Sequence, residues 1–277
     1  MNWKVGVRFG MSALLLGACV PATAFADQVA DIKSKGELVC GTLGVSRGFS
    51  FINQEDRQLV GYEVDLCNRL AQSLNVKPVM KTLAVAARIP ELQQGRVDVL
   101  LAELTETKDR AEVIDFSHPY FVTGAKVMVK KESGINEFNQ FSGKKVLTTK
   151  GSTMEQNLKK ELPGVGVISF DSTTQAFLAF VQGKGVGYCT DEISLLTSRA
   201  ALGEKGESFV LLPGNISIEN LGVGVRKNEP ALLSQVNKVF AELEGSGEAE
   251  KLFMKWFGPS TEINFDRRDF KIAGTDS

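Results

Sequence analysis

The chain runs through its β/α pattern twice, and that restart restricts its fold more than any other feature. In the first run, residues 27–35 read as a helix stopped by Gly36 and residues 37–43 as a strand. Residues 64–74 carry Val64, Leu66, Leu70, Ala71 and Leu74 on or near one helical face. A strand at 76–83, a short helix at 87–94 with Pro90 in its first turn, and a strand at 97–101 follow. The last is a continuous apolar run, as expected of a strand covered on both faces. The second run has strands at 126–130 and 144–149, a helix at 152–162, a strand at 165–170, a helix at 173–181 and a strand at 185–189. A strand at 221–225 and a long helix at 231–257, interrupted near Gly245-Ser246-Gly247, complete it. Alternation of this kind implies parallel sheets with right-handed crossovers. Two α/β lobes are expected, joined by extended segments near 124–130 and 220–226 that form a two-strand hinge. Ligands of open α/β sheets bind beyond the strand C-termini, so a cleft between the lobes is the natural site. One continuous domain with an accidental restart is the plainer alternative.

The N-terminal segment reads as an address rather than as structure. Lys4 and Arg8 form a basic region, and residues 11–20 are an apolar run too short to span a bilayer. Ala24-Phe25-Ala26 is a small-x-small cleavage site, so residues 1–26 are expected to be a signal peptide and the mature chain to start at Asp27. A competing site, Leu16-Gly17-Ala18-Cys19, resembles a lipobox and would leave a lipid-modified Cys19. Either way the protein is expected in the periplasm. Losing Lys4 and Arg8 shifts the formal charge from −1 to −3, so no basic field invites nucleic acid. In an oxidising compartment Cys40, in a strand, and Cys67, in the following helix, either pair or stay as buried thiols beside Cys189.

Three segments carry recognition chemistry. The stretch 95–110 takes an apolar strand through a Thr-rich turn into a helix with Arg110 in its first turn. A guanidinium there can hold a carboxylate bidentately; the bland reading is an ordinary exposed arginine on a capped helix. In the second run, Gly151-Ser152-Thr153 follows a strand, and Ser152-x-x-Glu155 has the capping-box pattern. Gly151 allows close backbone approach, and the Ser152 and Thr153 amides can take a second carboxylate lone pair. The spacing of a phosphate loop is absent. Asp191, just after the strand at 185–189, offers a carboxylate to an ammonium group. A carboxylate clamp plus an ammonium acceptor describes an α-amino acid. His118 is the sole histidine and the cysteines are scattered, so neither a metal nor another cofactor is expected; His118, before Pro119, reads as a loop residue.

At these residues the chain resembles the type II periplasmic solute-binding proteins of polar amino acid ABC importers. The resemblance runs through residues 59–66, Ile89-Pro90-Glu91-Leu92-Gln93-Gln94-Gly95, Thr105 to Arg110 followed by Ile114-Asp115-Phe116-Ser117, Gly151-Ser152-Thr153 and Thr190-Asp191. Residues 245–251 with Trp256-Phe257 look like the tail of glutamate/aspartate-binding members. The resemblance implies a two-lobe α/β periplasmic binding protein type II fold, with residues 27–125 and 223–277 in lobe 1 and 126–222 in lobe 2. It implies that Arg110, Thr105 and the Ser152 and Thr153 amides hold an α-carboxylate, and that Asp191 with Thr105 holds the α-ammonium. The expected partners are an amino acid and a membrane permease, the chain itself being a monomer.

The ligand side chain is where the resemblance weakens. Arg88 matches an arginine that pairs with the side-chain carboxylate in glutamate/aspartate binders. Leu43, however, stands where those proteins carry another arginine, Thr173 where they carry a histidine, and Glu103 where a small Ser-like residue is usual. Glu103 is expected to pair with Arg88 or to face a cationic ligand, because an unpaired buried charge is costly. Arg47 is a candidate substitute for the missing arginine. Acidic ligands are expected first, neutral polar ones second and basic ones third. The competing class is an enzyme: a periplasmic cyclohexadienyl dehydratase shares the implied fold, with Glu103 or Asp191 as general acid.

Overall fold

The first helix starts and stops where local chemistry dictates. The computed structural model describes residues 27–265 and 270–272 together with Met1 and Trp3. Apart from Met1 and Trp3, the expected signal peptide, with Lys4, Arg8 and Cys19, lies outside the described residues. Helix α1 (Gln28–Lys35) begins with the Asp27 carboxylate accepting from the Val29 N–H and ends at Gly36, whose φ of 71° releases the chain. Strand β1 (Glu37–Thr42) leads into three short strands, β2 (Val45–Ser46), β3 (Ser50–Ile52) and β4 (Leu59–Val60), which pair with one another. Then come α2 (Tyr62–Leu74), β5 (Lys77–Thr82), α3 (Arg88–Gln93), β6 (Val99–Leu100) and α4 (Lys108–Val113).

Strand β7 (Ile114–Lys130) carries the chain into the second run: β8 (Lys145–Thr149), α5 (Met154–Glu161), β9 (Gly166–Phe170), α6 (Thr173–Val181), β10 (Gly187–Asp191) and α7 (Glu192–Ala200). After β11 (Phe209–Leu211), strand β12 (Ser217–Arg226) returns to the first run, where α8 (Pro230–Gly245) and α9 (Glu248–Phe257) pack. The long final helix is thus two helices, parted at Gly247 with φ 72°.

The large sheet has the order β5-β1-β6-β12-β7-β10-β8-β9, with β11 also on β7. The outer pairs β1/β5, β1/β6, β8/β9 and β8/β10 are parallel, as the alternation implies. The centre departs from that expectation, because β7 and β12 run antiparallel to each other and to their flanking partners. The hinge is also displaced. Residues 114–125 pair with 217–226, whereas 125–129 pair with β10 inside the second lobe. The segment 97–101 contributes only two residues to the sheet, and His118 lies within β7 rather than in a loop.

Each lobe has its own core on both faces of its part of the sheet, which is the physical content of a two-lobe fold. In the first, Leu38, Leu66, Val99, Val236 and Phe253 belong to one cluster, and Leu92, Val97, Leu100 and Ile114 to another. In the second, adjacent residues of β7 diverge: Val127 and Val129 join Val146 and Leu158, while Met128 joins Leu147, Phe180 and Tyr188. Cys40 and Cys67 form a disulfide with Cα atoms 6.4 Å apart, tying β1 to α2. Among the described residues Cys189 is a free, buried thiol whose pKa burial pushes up, so it is chemically quiet.

Candidate functional site

The turn after β6 is held in a conformation that L-residues avoid. Glu103 has φ 49°, and backbone strain of this kind persists where its surroundings enforce it. Here the enforcer is Glu63 of α2, which is 1% exposed. Its Oε1 accepts from the Glu103 N–H at 2.6 Å and from the Tyr120 hydroxyl at 2.5 Å, while Oε2 accepts from Thr42 and Ser50 at 3.3 Å each. Burial raises the Glu63 carboxyl pKa despite these donors. Pinned from behind, Glu103 faces a small cavity lined from both runs of the chain.

All seven candidate residues (Arg88, Glu103, Thr105, Arg110, Ser152, Thr153 and Asp191) line that cavity. Arg88, at the start of α3, is 3% exposed. Its Nε donates to the Val85 carbonyl at 2.8 Å, and its Nη1 to the Ala102 and Glu103 carbonyls at 2.7 and 2.8 Å. Burial first, then Arg110, lowers its pKa to about 9, which leaves it cationic at neutral pH. Of the two roles expected of Glu103, the ion pair with Arg88 is therefore not the one formed: the arginine engages the Glu103 main chain, not its carboxylate. Glu103 Oε1 is buried without a hydrogen-bond partner. Burial, then Asp191 and Glu63, raise the Glu103 pKa well above the ordinary carboxylate range.

Arg110 sits in the first turn of α4, whose cap is Thr107, donating Nη1 to the Thr105 carbonyl at 2.8 Å. Across the cleft its Nη2 meets the Gly151 carbonyl at 3.0 Å, and Arg88 Nη2 reaches the same oxygen at 3.4 Å. Burial lowers the Arg110 pKa. The Ser152 side corrects an expectation. Ser152 does not cap α5: its hydroxyl donates to the Thr149 carbonyl at 2.6 Å and its amide to the same oxygen at 3.2 Å. Thr153 occupies the cap position without a side-chain capping bond to the helix, and Glu155 accepts from the Gly151 N–H at 2.7 Å instead. Asp191 ends β10 and caps α7, Oδ1 accepting from the Ser194 N–H at 2.8 Å and Oδ2 from the Thr190 hydroxyl at 3.3 Å. Burial raises its pKa, with those donors opposing.

Arg47 does not reach the cavity lining. It lies over the Phe51 ring and pairs with Glu262 at 3.2 Å on the surface. Leu43 and Thr173 do line the cavity, in keeping with the positions compared above. The residue sequence reasoning missed is Glu219 of β12, also on the lining and 1% exposed. Its Oε2 accepts from Thr105 Oγ1 at 2.5 Å and Thr153 Oγ1 at 2.8 Å, and its Oε1 from Ser217. A signal existed: alternation along β12 puts Glu219 in phase with buried Leu221, while Ile218 points out, 60% exposed. The site thus combines two fixed guanidinium groups with three carboxyl groups, Glu103, Asp191 and Glu219, in one enclosure suited to a zwitterion.

Comparison with known proteins bears on the fold and the family. The family described as bacterial extracellular solute-binding proteins, family 3, matches residues 38–259. The ABC transporter glutamine-binding protein GlnH of Bacillus subtilis (strain 168) is 30% identical over 234 residues, covering 83% of this chain and 84% of that protein. The L-glutamate/L-aspartate-binding protein of Pseudomonas aeruginosa is 30% identical over 256 residues, covering 88% and 84%. Among solved structures, the ancestral amino acid-binding protein AncCDT-1, a precursor of cyclohexadienyl dehydratase, superposes with a TM-score of 0.74 at 30% identity, over 84% of this chain and 100% of that one. With the family match spanning most of its length and two lobes meeting at a polar cleft, the chain belongs to the bacterial extracellular solute-binding proteins, family 3.

Proposed function

We propose that this protein captures an α-amino acid outside the cytoplasm and delivers it to the membrane permease of an ABC importer. The observation that carries this reading is the convergence of Arg110 from the first lobe and Asp191 from the second on one cavity. Arg110 with Thr105 and the Thr153 amide takes the α-carboxylate, while Asp191 and the Thr105 hydroxyl take the α-ammonium. The Ser152 amide joins the carboxylate contacts on giving up its weak bond to Thr149. Arg88 and Glu103 face the ligand side chain. Ligand binding stabilises the closed state through contacts that need both lobes at once. The chain crosses between the lobes along β7 and β12, which pair over 114–125 and 217–226, so closure bends paired strands rather than loose linkers. No helix among the described residues is long and apolar enough to cross a membrane, and the permease supplies the membrane passage.

A thermal-shift screen of the twenty amino acids against refolded, ligand-free protein tests the reading. At least one amino acid is expected to raise the melting temperature by several degrees, the signature of binding only the folded state; a flat screen overturns it. The dehydratase alternative draws on Glu103, whose raised pKa suits a general acid. Incubation with prephenate or arogenate decides between them, turnover favouring the enzyme.

A further inference from the structure

We infer that the cavity selects an amino acid whose side chain ends in an N–H-bearing group, with Glu103 as its acceptor. The inference rests on the amino-acid reading above and names the ligand class within it.

Three observations carry it. Arg88, the group expected to receive an acidic side chain, has four of its five N–H donors directed at carbonyl oxygens of Val85, Ala102, Glu103 and Gly151. It cannot offer a bidentate fork to a ligand carboxylate without breaking those bonds. Glu103 presents the opposite situation: Oε1 is buried and unpartnered, in a residue locked by Glu63 through its backbone N–H. A buried acceptor without a donor is costly, and a ligand N–H is the group that relieves it. Finally, the lining carries three carboxyl groups, Glu103, Asp191 and Glu219, beside the guanidinium groups of Arg88 and Arg110. A ligand side-chain carboxylate would add a fourth acceptor-rich group to this set, whereas an ammonium, guanidinium or carboxamide group supplies N–H donors to it. Leu43, Val85 and Leu221 supply apolar lining for the methylene stem of such a side chain.

Calorimetric titration of refolded, ligand-free protein tests this with arginine, lysine, glutamine, glutamate and the apolar isosteres norleucine and norvaline. Arginine, lysine or glutamine is expected to bind at least about tenfold tighter than both glutamate and its apolar isostere. A cationic winner and a carboxamide winner both support the inference and tell its two sources apart. Glutamate or an isostere binding as tightly overturns it, while no binding by any amino acid overturns the amino-acid reading instead. In Glu103→Leu the preferred ligand is expected to weaken about tenfold to a hundredfold with glutamate little changed; an equal loss for every ligand marks Glu103 as merely structural and sinks the assignment. The wild-type comparison stands even if the variant fails to fold.

Discussion

Arg110 donates through Nη2 to the carbonyl oxygen of Gly151 at 3.0 Å, so one guanidinium both lines the cavity and spans the two lobes. In the proposed function its remaining donors take the ligand carboxylate, and a buried charged contact of that kind is worth about 2–5 kcal/mol on truncation. Arg110→Ala is therefore expected to weaken amino-acid binding at least about thirtyfold while leaving the circular dichroism spectrum unchanged. Unchanged affinity by calorimetry would remove Arg110 from the site. Arg110→Lys should recover only part of the loss, because an ammonium keeps the charge without the planar fork.

Gly151 is predicted to be sensitive for a different reason. Its φ is +79°, and a Cβ there would lie 2.7 Å from Ala86 Cα in the opposite lobe. Gly151→Ala should thus strain the turn by about 1–2 kcal/mol and also hold the lobes apart. The expected result is a modest drop in melting temperature with a larger loss of ligand affinity. Solution scattering with ligand present should show incomplete closure; full compaction would mean that the Ala86 contact yields without cost.

The clamp residues were legible because each sits at a punctuated junction. Thr105 and Arg110 flank a strand-to-helix turn, Gly151 follows a strand, and Asp191 is a helix cap. Helix α6 was legible end to end from its apolar residues 176–181, and Ser172 caps its start by accepting from the Gln175 N–H. Strand β7 was not. Asp115, Ser117, His118 and Pro119 hide its first half, and Pro119 is tolerated because it lies opposite Gly222, where the register slips. Glu219 escaped notice because a carboxylate in a strand reads as an outward residue until the phase of its neighbours is weighed. Which of the two roles Glu103 takes was not legible for another reason: proximity in a cleft says nothing about main-chain carbonyls competing for the Arg88 donors.

The Cys40–Cys67 disulfide closes a loop with a sequence separation of 27. Loop-closure entropy of that size contributes about 3–4 kcal/mol. Urea unfolding with and without reductant should show the midpoint falling accordingly, and Cys40→Ser with Cys67→Ser should reproduce the reduced protein. Neither cysteine lines the cavity, so affinity for ligand at low denaturant should change little. A large affinity loss with unaltered stability would contradict the placement of this bond in the core alone.

Three buried carboxyl groups, Glu63, Glu103 and Asp191, all have pKa values raised by burial, from ordinary values of 4.5, 4.5 and 3.8. A raised folded-state pKa means the folded chain binds protons more readily than the unfolded one, so stability falls as pH rises through that window. Glu91, lowered by its hydrogen bond from Lys81, acts in the opposite sense, but only as pH falls through its own lowered value. Ligand-free protein should therefore melt at a higher temperature at about pH 5.5 than at about pH 8. Glu103→Gln should flatten that slope. A melting temperature that is level or rises with pH over this range would contradict the raised carboxyl values.

Glu219 supplies the last test, because one carboxylate oxygen holds both lobes. Thr105 Oγ1 and Thr153 Oγ1 both donate to Oε2, from opposite sides of the cleft. Glu219→Ala removes the carboxylate acceptor of three hydroxyls, those of Thr105, Thr153 and Ser217, each costing about 1–3 kcal/mol if it stays buried and unpaired. Opening the cleft lets water satisfy them, so the cost should fall on closure rather than on folding. The expected signature is a weakened ligand affinity, carried mainly by faster dissociation, with a denaturant midpoint near that of the parent. Glu219→Gln keeps one acceptor oxygen and should lie between the two. Were the denaturant midpoint to collapse while the dissociation rate stayed fixed, Glu219 would be a structural element of the hinge strands and not the catch that holds the lobes together.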